Sequence, residues 1–213
     1  FVEKAISATP KNGRIERVLY LSRAVFPSKT ANSVNIMKMC SAMSSNGFRV
    51  KLFGLRANLD SSGQRDIHDF YNTKTDFLME LIRQPKRGSR LFLYVRLIIV
   101  LLVSRRKNTL VYSRERLMVF FALCFGYKTI LEAHDFFSSK LNRRIERYLF
   151  GHSRFVKLVV ISHALRSDYI KFYKKIPIIE VHHDASEAVD VLASNLNYLG
   201  GRTNALKIGY FGH

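Results

Sequence analysis

RVLYLSRAVFPSKTANSVNIMKMCSAMSSNGFRVKLFG, residues 17–54, holds three elements in succession. Arg17–Ser22 is a short continuous apolar run, the mark of a strand covered on both faces. RAVFPSKTANS (23–33) reads as a polar loop around Pro27. From Ala31 the period becomes helical. Val34, Met37, Cys40, Ala42 and Met43 fall near one face, and Asn46-Gly47 supplies the stop. Phe48–Gly54 is again strand-like. Strand, helix and strand in one short stretch make a βαβ unit, which requires parallel strands and a right-handed crossover.

The same alternation runs outward from this unit. A short helix is expected over Asp66–Tyr71, a strand over Asp76–Ile82, and a helix over the strongly apolar Leu91–Val103. Thr109–Ser113, Lys128–Leu131, Val156–Ser162 and Ile176–Val181 read as strands. Arg116–Cys124, the basic Ser139–Phe150 and Ala164–Tyr173 read as the helices between them. The pattern predicts an α/β protein with a Rossmann-like open, mostly parallel sheet and helices on both faces. We expect a lead-in over 1–15, the Rossmann-like domain over 16–185, and a polar linker over 186–205. ALKIGYFGH then opens another apolar strand, so 206–213 reads as the first strand of a second domain.

The charge is lopsided. Among 213 residues, 35 Lys and Arg face 16 Asp and Glu, a formal net charge of +19. Such a field attracts polyanions: nucleic acid, anionic membrane or phosphorylated substrates. Cys40 and Cys124 lie in apolar stretches without metal-binding spacing, and both are expected to be reduced core thiols of a cytoplasmic protein. FVEKAISATPKNGR lacks the apolar centre of a signal peptide. The thirteen residues of Leu91–Val103 are too few for a membrane span, which needs ~20. They read as a helix packed on the sheet. Arg105, Arg106 and Lys107 follow it, and an apolar helix with basic ends can also dock on an anionic bilayer, on the inner face of the membrane.

Ligands of open parallel sheets bind outside the carboxyl ends of the strands. Here those loops gather the polar residues of interest: Arg23, Arg114, Glu132, His134, Asp135 and Ser162. ILEAHDFFSS (130–139) places an imidazole between two acids where a buried strand emerges. His134 is suited to donate a hydrogen bond to a sugar or phosphate, or to stabilise a developing charge, with Glu132 or Asp135 fixing its tautomer. The competing reading is a turn in which Asp135 caps the next helix. Lys29, Thr30, Ala31 and Asn32 form a helix N-terminus that could receive a donor phosphate. The competing reading is an ordinary loop capped by Thr30 or Asn32. Neither GxGxxG nor GxxxxGK[ST] occurs. His182, His183 and Asp184 lack a third ligand at metal-binding spacing, so no metal and no cofactor is expected.

In its residues the chain resembles glycosyltransferase family 4 enzymes of the GT-B fold. The resemblance is carried by P-x-x-x-A-N-S (27–33), IMKMCSAM (36–43) and N-G-F-R-V (46–50). VYSRE (111–115), ILEAHDF (130–136), VVISHALRSDY (159–169) and KIGYFGH (207–213) continue it in the family's order. It departs in the first loop, where many relatives carry Gly-Gly, and at HHDASEAVD (182–190), where they carry Pro-Asn-Gly-Val-Asp. The resemblance implies an N-terminal, acceptor-side domain of a retaining, metal-independent glycosyltransferase of polysaccharide biosynthesis. It implies a nucleotide-sugar donor held mainly by a C-terminal domain, and a glycan or lipid-linked acceptor. It places His134 near the donor sugar and Lys29–Asn32 near the donor phosphates, with Arg23, Arg114, Glu132, Asp135 and Ser162 along the cleft.

Two other readings fit the residues. A nucleic-acid-binding α/β module would need a basic stripe interleaved with exposed aromatics, whereas the aromatics here fall mostly inside apolar runs. No specific nucleic acid is therefore expected. A nucleotide-binding enzyme of another doubly wound family would be expected to carry the glycine fingerprint. Fold alone does not separate these classes.

Overall fold

A computed structural model of the chain describes residues 15–57, 64–73, 77–83, 90–136, 139–173, 175–176 and 178–182. All of them belong to one compact unit, Phe1–His183. The expected lead-in up to residue 14, the linker at 186–205 and the strand at 206–213 lie outside the described residues.

Seven strands alternate with six helices among the described residues: β1 (Arg17–Phe26), α1 (Ala31–Ser45), β2 (Arg49–Arg56), α2 (Gln64–Phe70), β3 (Leu78–Arg83), α3 (Arg90–Val103), β4 (Thr109–Ser113), α4 (Arg116–Cys124), β5 (Lys128–Ala133), α5 (Lys140–Gly151), β6 (Phe155–Val160), α6 (His163–Phe172) and β7 (Ile179–Val181). The strands form one sheet in the order β3-β2-β1-β4-β5-β6-β7. Every pairing is parallel. The chain is thus an α/β protein with a Rossmann-like, doubly wound sheet. The strand order reverses between β1 and β4, and that switch point is where such sheets open a crevice at their carboxyl ends.

Right-handed crossovers dictate which helix covers which face. Val18 and Tyr20 of β1, with Val50, Leu52, Leu110 and Tyr112, pack against Ile36, Met37, Cys40 and Met43 of α1 and Ile67 of α2. The alternate residues Leu19, Leu21, Phe53 and Val111 pack against Leu93, Leu97 and Leu101 of α3 and Met118 and Ala122 of α4. Leu131, Ala133, Leu158 and Val160 continue that second face under α5 and α6, meeting Leu149, Phe150, Leu165 and Tyr169. Local signals set the helix ends. The Thr30 hydroxyl accepts from the Ser33 amide, that of Ser139 from Asn142 and that of Ser162 from Leu165, each satisfying an amide that has no intrahelical partner. Gly47, at φ 84°, takes the left-handed turn that ends α1. Gly54 serves a different end, since a Cβ there would meet the Phe26 ring at 2.8 Å.

Several expectations change. Arg23–Phe26 is not loop. After a register shift between Leu21 and Val25, β1 goes on pairing with β2 alone, and Phe26 is buried beneath it. The polar connection shrinks to residues 27–30. β5 runs through Glu132 and Ala133, so the acid before His134 belongs to the strand. Val34 points out to solvent, and Ser33, Ile36 and Ser41 join the buried face of α1 instead. Cys40 is buried, but Cys124 is exposed, because the last turn of α4 leaves the apolar seam after Leu123. Asp135 does not cap α5; Ser139 does.

Candidate functional site

The carboxyl ends of β4 and β5 and the start of α1 converge at the switch point. Glu132 lies on the α1 face of the sheet and is buried at 4% exposure. Its Oε2 accepts from the Tyr112 hydroxyl at 2.7 Å, and its Oε1 accepts from Arg114 Nη2 at 2.7 Å. His134 Nε2 lies 2.6 Å from the same Oε1. Arg114 reaches on through Nη1 to Asn32 Oδ1 of α1 at 3.0 Å. One buried carboxylate therefore orients an imidazole, a guanidinium and, through the guanidinium, the first turn of α1. The His134 ring itself remains 30% exposed.

Burial opposes ionisation of Glu132. The hydrogen bond from His134, the charge of Arg114 and the Tyr112 hydroxyl outweigh it and hold the carboxyl below its ordinary value. The same burial, with the Glu132 charge beside it, pushes the Tyr20 and Tyr112 phenols well above theirs, so both stay neutral. Their rings stack at 5.3 Å between centroids beneath the carboxylate. An ionised carboxylate only accepts, so in the contact with Glu132 it is His134 Nε2 that carries the proton.

A pH dependence follows. The folded pKa of Glu132 lies below its unfolded value, so its contribution to stability is fully present above that unfolded value. It is lost as pH falls through the folded pKa. The difference in urea midpoint between wild type and Glu132→Gln is expected to be largest near neutral pH and to shrink below about pH 4. Denaturation series at several pH values check this.

The other candidate residues separate. Arg23 pairs with Glu115 at 2.7 Å, on the exposed rim of β1 and α4. Asp135 turns away from His134; its carboxylate lies 3.4 Å from Arg116 Nη2. Ser162 caps α6. Lys29, Thr30, Ala31 and Asn32 stand exposed at the α1 entrance. There the Tyr71 hydroxyl clamps both the amide and the carbonyl of Ser28, at 2.6 and 2.7 Å. Arg105, Arg106 and Lys107 lie before β4, at the opposite, amino end of the sheet. Among the described residues no cluster of three metal-ligating side chains occurs; His183 and Asp184 are outside them.

No protein-family model matches the chain, and no curated protein matches it. Among solved structures it is similar to a glycosyltransferase from Rickettsia africae ESF-5. Identity is 15% and the TM-score 0.49. The match covers 79% of this chain and 43% of that one, so this chain spans less than half of that protein's length.

Sequence reasoning missed a second buried constellation directly behind the first. Arg116, the first residue of α4, donates through Nε to Glu146 Oε1 at 2.6 Å and through Nη2 to the Asp135 carbonyl at 3.0 Å. Nη2 also donates to the Tyr169 hydroxyl at 3.0 Å, and the Tyr169 and Tyr173 hydroxyls donate to Glu146. This network holds the backbone of the residue after His134. One signal was available: Glu146 is an acid on the same helical face as Leu149 and Phe150, and an acid on an apolar face needs a buried partner.

Proposed function

We propose that this chain is the acceptor-side domain of a glycosyltransferase that moves a sugar from a nucleotide-sugar donor to a cell-surface polysaccharide or lipid-linked glycan. The observation that carries the reading is the His134–Glu132–Arg114 arrangement at the switch point. An imidazole of fixed tautomer, held by a buried ionised acid, stands where doubly wound sheets receive ligands. The family resemblance of the same residues supports it.

In this reading His134 makes a hydrogen bond to the sugar being transferred that strengthens in the transition state. Glu132 and Arg114 set its direction rather than touch the sugar. Asn32 and the exposed residues Lys29–Ala31 form the side facing the donor phosphates. Arg23 and Ser162 border the acceptor. From the resemblance alone we take the transfer to be retaining and metal-independent. From the alternation of elements we assign residues 16–185 to one domain, 186–205 to a linker and 206–213 to the opening strand of a second domain, and from the resemblance we take the first as acceptor-side and the second as donor-binding. We also assign a cytoplasmic location, peripheral to the inner face of the membrane. Among the described residues no helix is long and apolar enough to cross a membrane.

The test is transfer by the complete protein, offered a panel of labelled nucleotide-sugars and lipid-linked or glycan acceptors. Labelled product with the donor's anomeric configuration is expected. Residues 1–213 alone should fold cooperatively and transfer nothing. Absence of transfer from every nucleotide-sugar by the complete protein would overturn the reading.

A further inference from the structure

The chain uses one short pattern twice: Ile, apolar, Glu, apolar, His. Ile130-Leu131-Glu132-Ala133-His134 ends β5, and Ile178-Ile179-Glu180-Val181-His182 ends β7. The sheet sets the two copies level. Glu132 pairs with Val159 of β6, and Val159 pairs with Glu180, so both acids stand in one row across three parallel strands. Side chains of one row share a face of the sheet. Here it is the α1 face, on which Val159 packs. Two strand spacings separate the acids, roughly 10 Å in all. Each histidine follows its acid by two residues, and the His182 amide still donates to the Val160 carbonyl at 2.8 Å, which carries the ladder on to that level.

The supports correspond as well. Glu180 Oε1 accepts from Lys157 Nζ at 2.8 Å, and Lys157 is 0% exposed. Lys157 stands beside Ile130 and Ile130 beside Tyr112, so the polar tips that reach the two acids rise from one row of the sheet. A lysine shut off from water needs a counter-charge. That need accounts for Glu180 Oε1 but not for Oε2. Among the described residues Oε2 is buried without a hydrogen bond of ordinary geometry, and it faces His182 Nε2 at 3.3 Å. The second Glu–His pair is thus a looser copy of the first, whose distance is 2.6 Å. Such contacts are often long before a ligand arrives and tighten in the complex. Lys157 would be served by any carboxylate at position 180; it does not call for an imidazole two residues on, level with His134 and 15% exposed. His182 also opens the stretch in which the chain departs from the family it resembles, so the resemblance does not carry this histidine.

We propose that His182, steered by the Lys157–Glu180 pair, is a second substrate-contacting residue of the crevice, and that it holds a hydroxyl of the acceptor one sugar beyond the reacting unit. The inference rests on the sugar-transfer reading and deepens it. With His134 on the sugar being transferred, a second imidazole roughly 10 Å away lies past the far edge of that ring. The separation is comparable to two rings joined end to end. The hydrogen bond made by one ring nitrogen sets the role of the other, so Glu180 orients His182 toward a hydroxyl as Glu132 orients His134. The acceptor is then a hydroxyl-bearing glycan of at least two sugars, not a bare lipid phosphate.

Steady-state kinetics of the complete protein, with the nucleotide-sugar and acceptor that its transfer assay identifies, are the test. His182→Ala should raise the acceptor KM about tenfold, the loss of one hydrogen bond to an uncharged group. Donor KM should move less than about twofold and kcat less than about threefold, because the lost contact is made equally before and during transfer. His182→Gln keeps a donor and an acceptor at the position and should recover part of the loss. An acceptor cut back to its reacting sugar should bind wild type more weakly and should erase the difference between wild type and His182→Ala. Thermal melts control for folding; if the alanine variant melts lower, His182→Gln and the shortened acceptor carry the comparison. An unchanged acceptor KM in folded His182→Ala, beside an impaired His134→Ala, would overturn the proposal and leave the sugar-transfer reading standing. So would a loss that falls on donor KM or kcat, which would put His182 on the donor side, or equal losses on the full and shortened acceptors. No transfer by the wild-type protein would remove the reading itself, and the proposal with it.

Discussion

Replacing His134 by alanine is expected to lower sugar transfer by the complete protein about 10²–10³-fold, the loss typical of one preorganised group that stabilises a transition state. The expectation rests on preorganisation. Glu132 is buried, ionised and already engaged with His134 Nε2 at 2.6 Å, so the ring does not have to be oriented when substrate arrives. The loss should fall mainly on turnover, because an interaction tightened only in the transition state leaves ground-state binding nearly untouched. Asp135→Asn should be much milder, within about tenfold, since its exposed carboxylate meets, among the described residues, the edge of Arg116. Steady-state kinetics of both variants, with circular dichroism as the folding control, check the assignment. Near wild-type turnover in a folded His134→Ala protein would remove His134 from the site.

The second large effect is on stability. Glu146→Ala should destabilise the fold by about 3–5 kcal/mol, the range seen when one partner of a buried ion pair is removed. Arg116 is 8% exposed and Glu146 1%. Without the carboxylate, the guanidinium keeps its charge but loses its closest counter-ion, the Tyr173 hydroxyl loses the acceptor it has in Glu146, and the Tyr169 hydroxyl is left with the Asp135 carbonyl at 3.3 Å. Against a typical total of about 5–15 kcal/mol, that is a large share. Arg116→Met combined with Glu146→Leu should recover most of it, because two apolar side chains leave no uncompensated charge. Urea denaturation of the single and double variants closes the cycle. A single-variant loss below about 1 kcal/mol would mean that the network does not hold the loop. Because Arg116 also bonds the Asp135 carbonyl at 3.0 Å, the repacked double variant should remain folded while transferring sugar more slowly.

Local pattern was enough for most of the architecture. Thr109–Ser113 and Arg116–Cys124 stand in the structure with the bounds their residues predict. The strand run is closed by Arg114 and the helical run by Gly126, and the chain itself carries that information. The parallel sheet with helices on both faces follows from the alternation, because each crossover must be long and right-handed. Where the pattern failed, the deciding contacts were distant in sequence. Arg23–Phe26 reads as polar loop but is strand, since β2 offers Leu55 and Arg56 as partners after the register shift.

The site was legible as a cluster and illegible as a geometry. EAHD announces chemistry at a strand end. Which acid serves the histidine depends on the pleat, which sends Glu132 toward α1 and Tyr112, while Asp135, beyond the strand, turns to Arg116. Those partners lie 20 and 19 residues away, where no local period reaches. The outward side of α3 is the same case. A helix apolar all round does not say which side is buried, and only the sheet beneath it chose Leu93, Leu97 and Leu101 and left Leu102 and Val103 to solvent. Sequence by itself determined the elements and their handed winding, because periodicity and turn chemistry act over a few residues. Tertiary structure alone decided which side chains meet, because burial and ion pairing are properties of surfaces brought together from far along the chain.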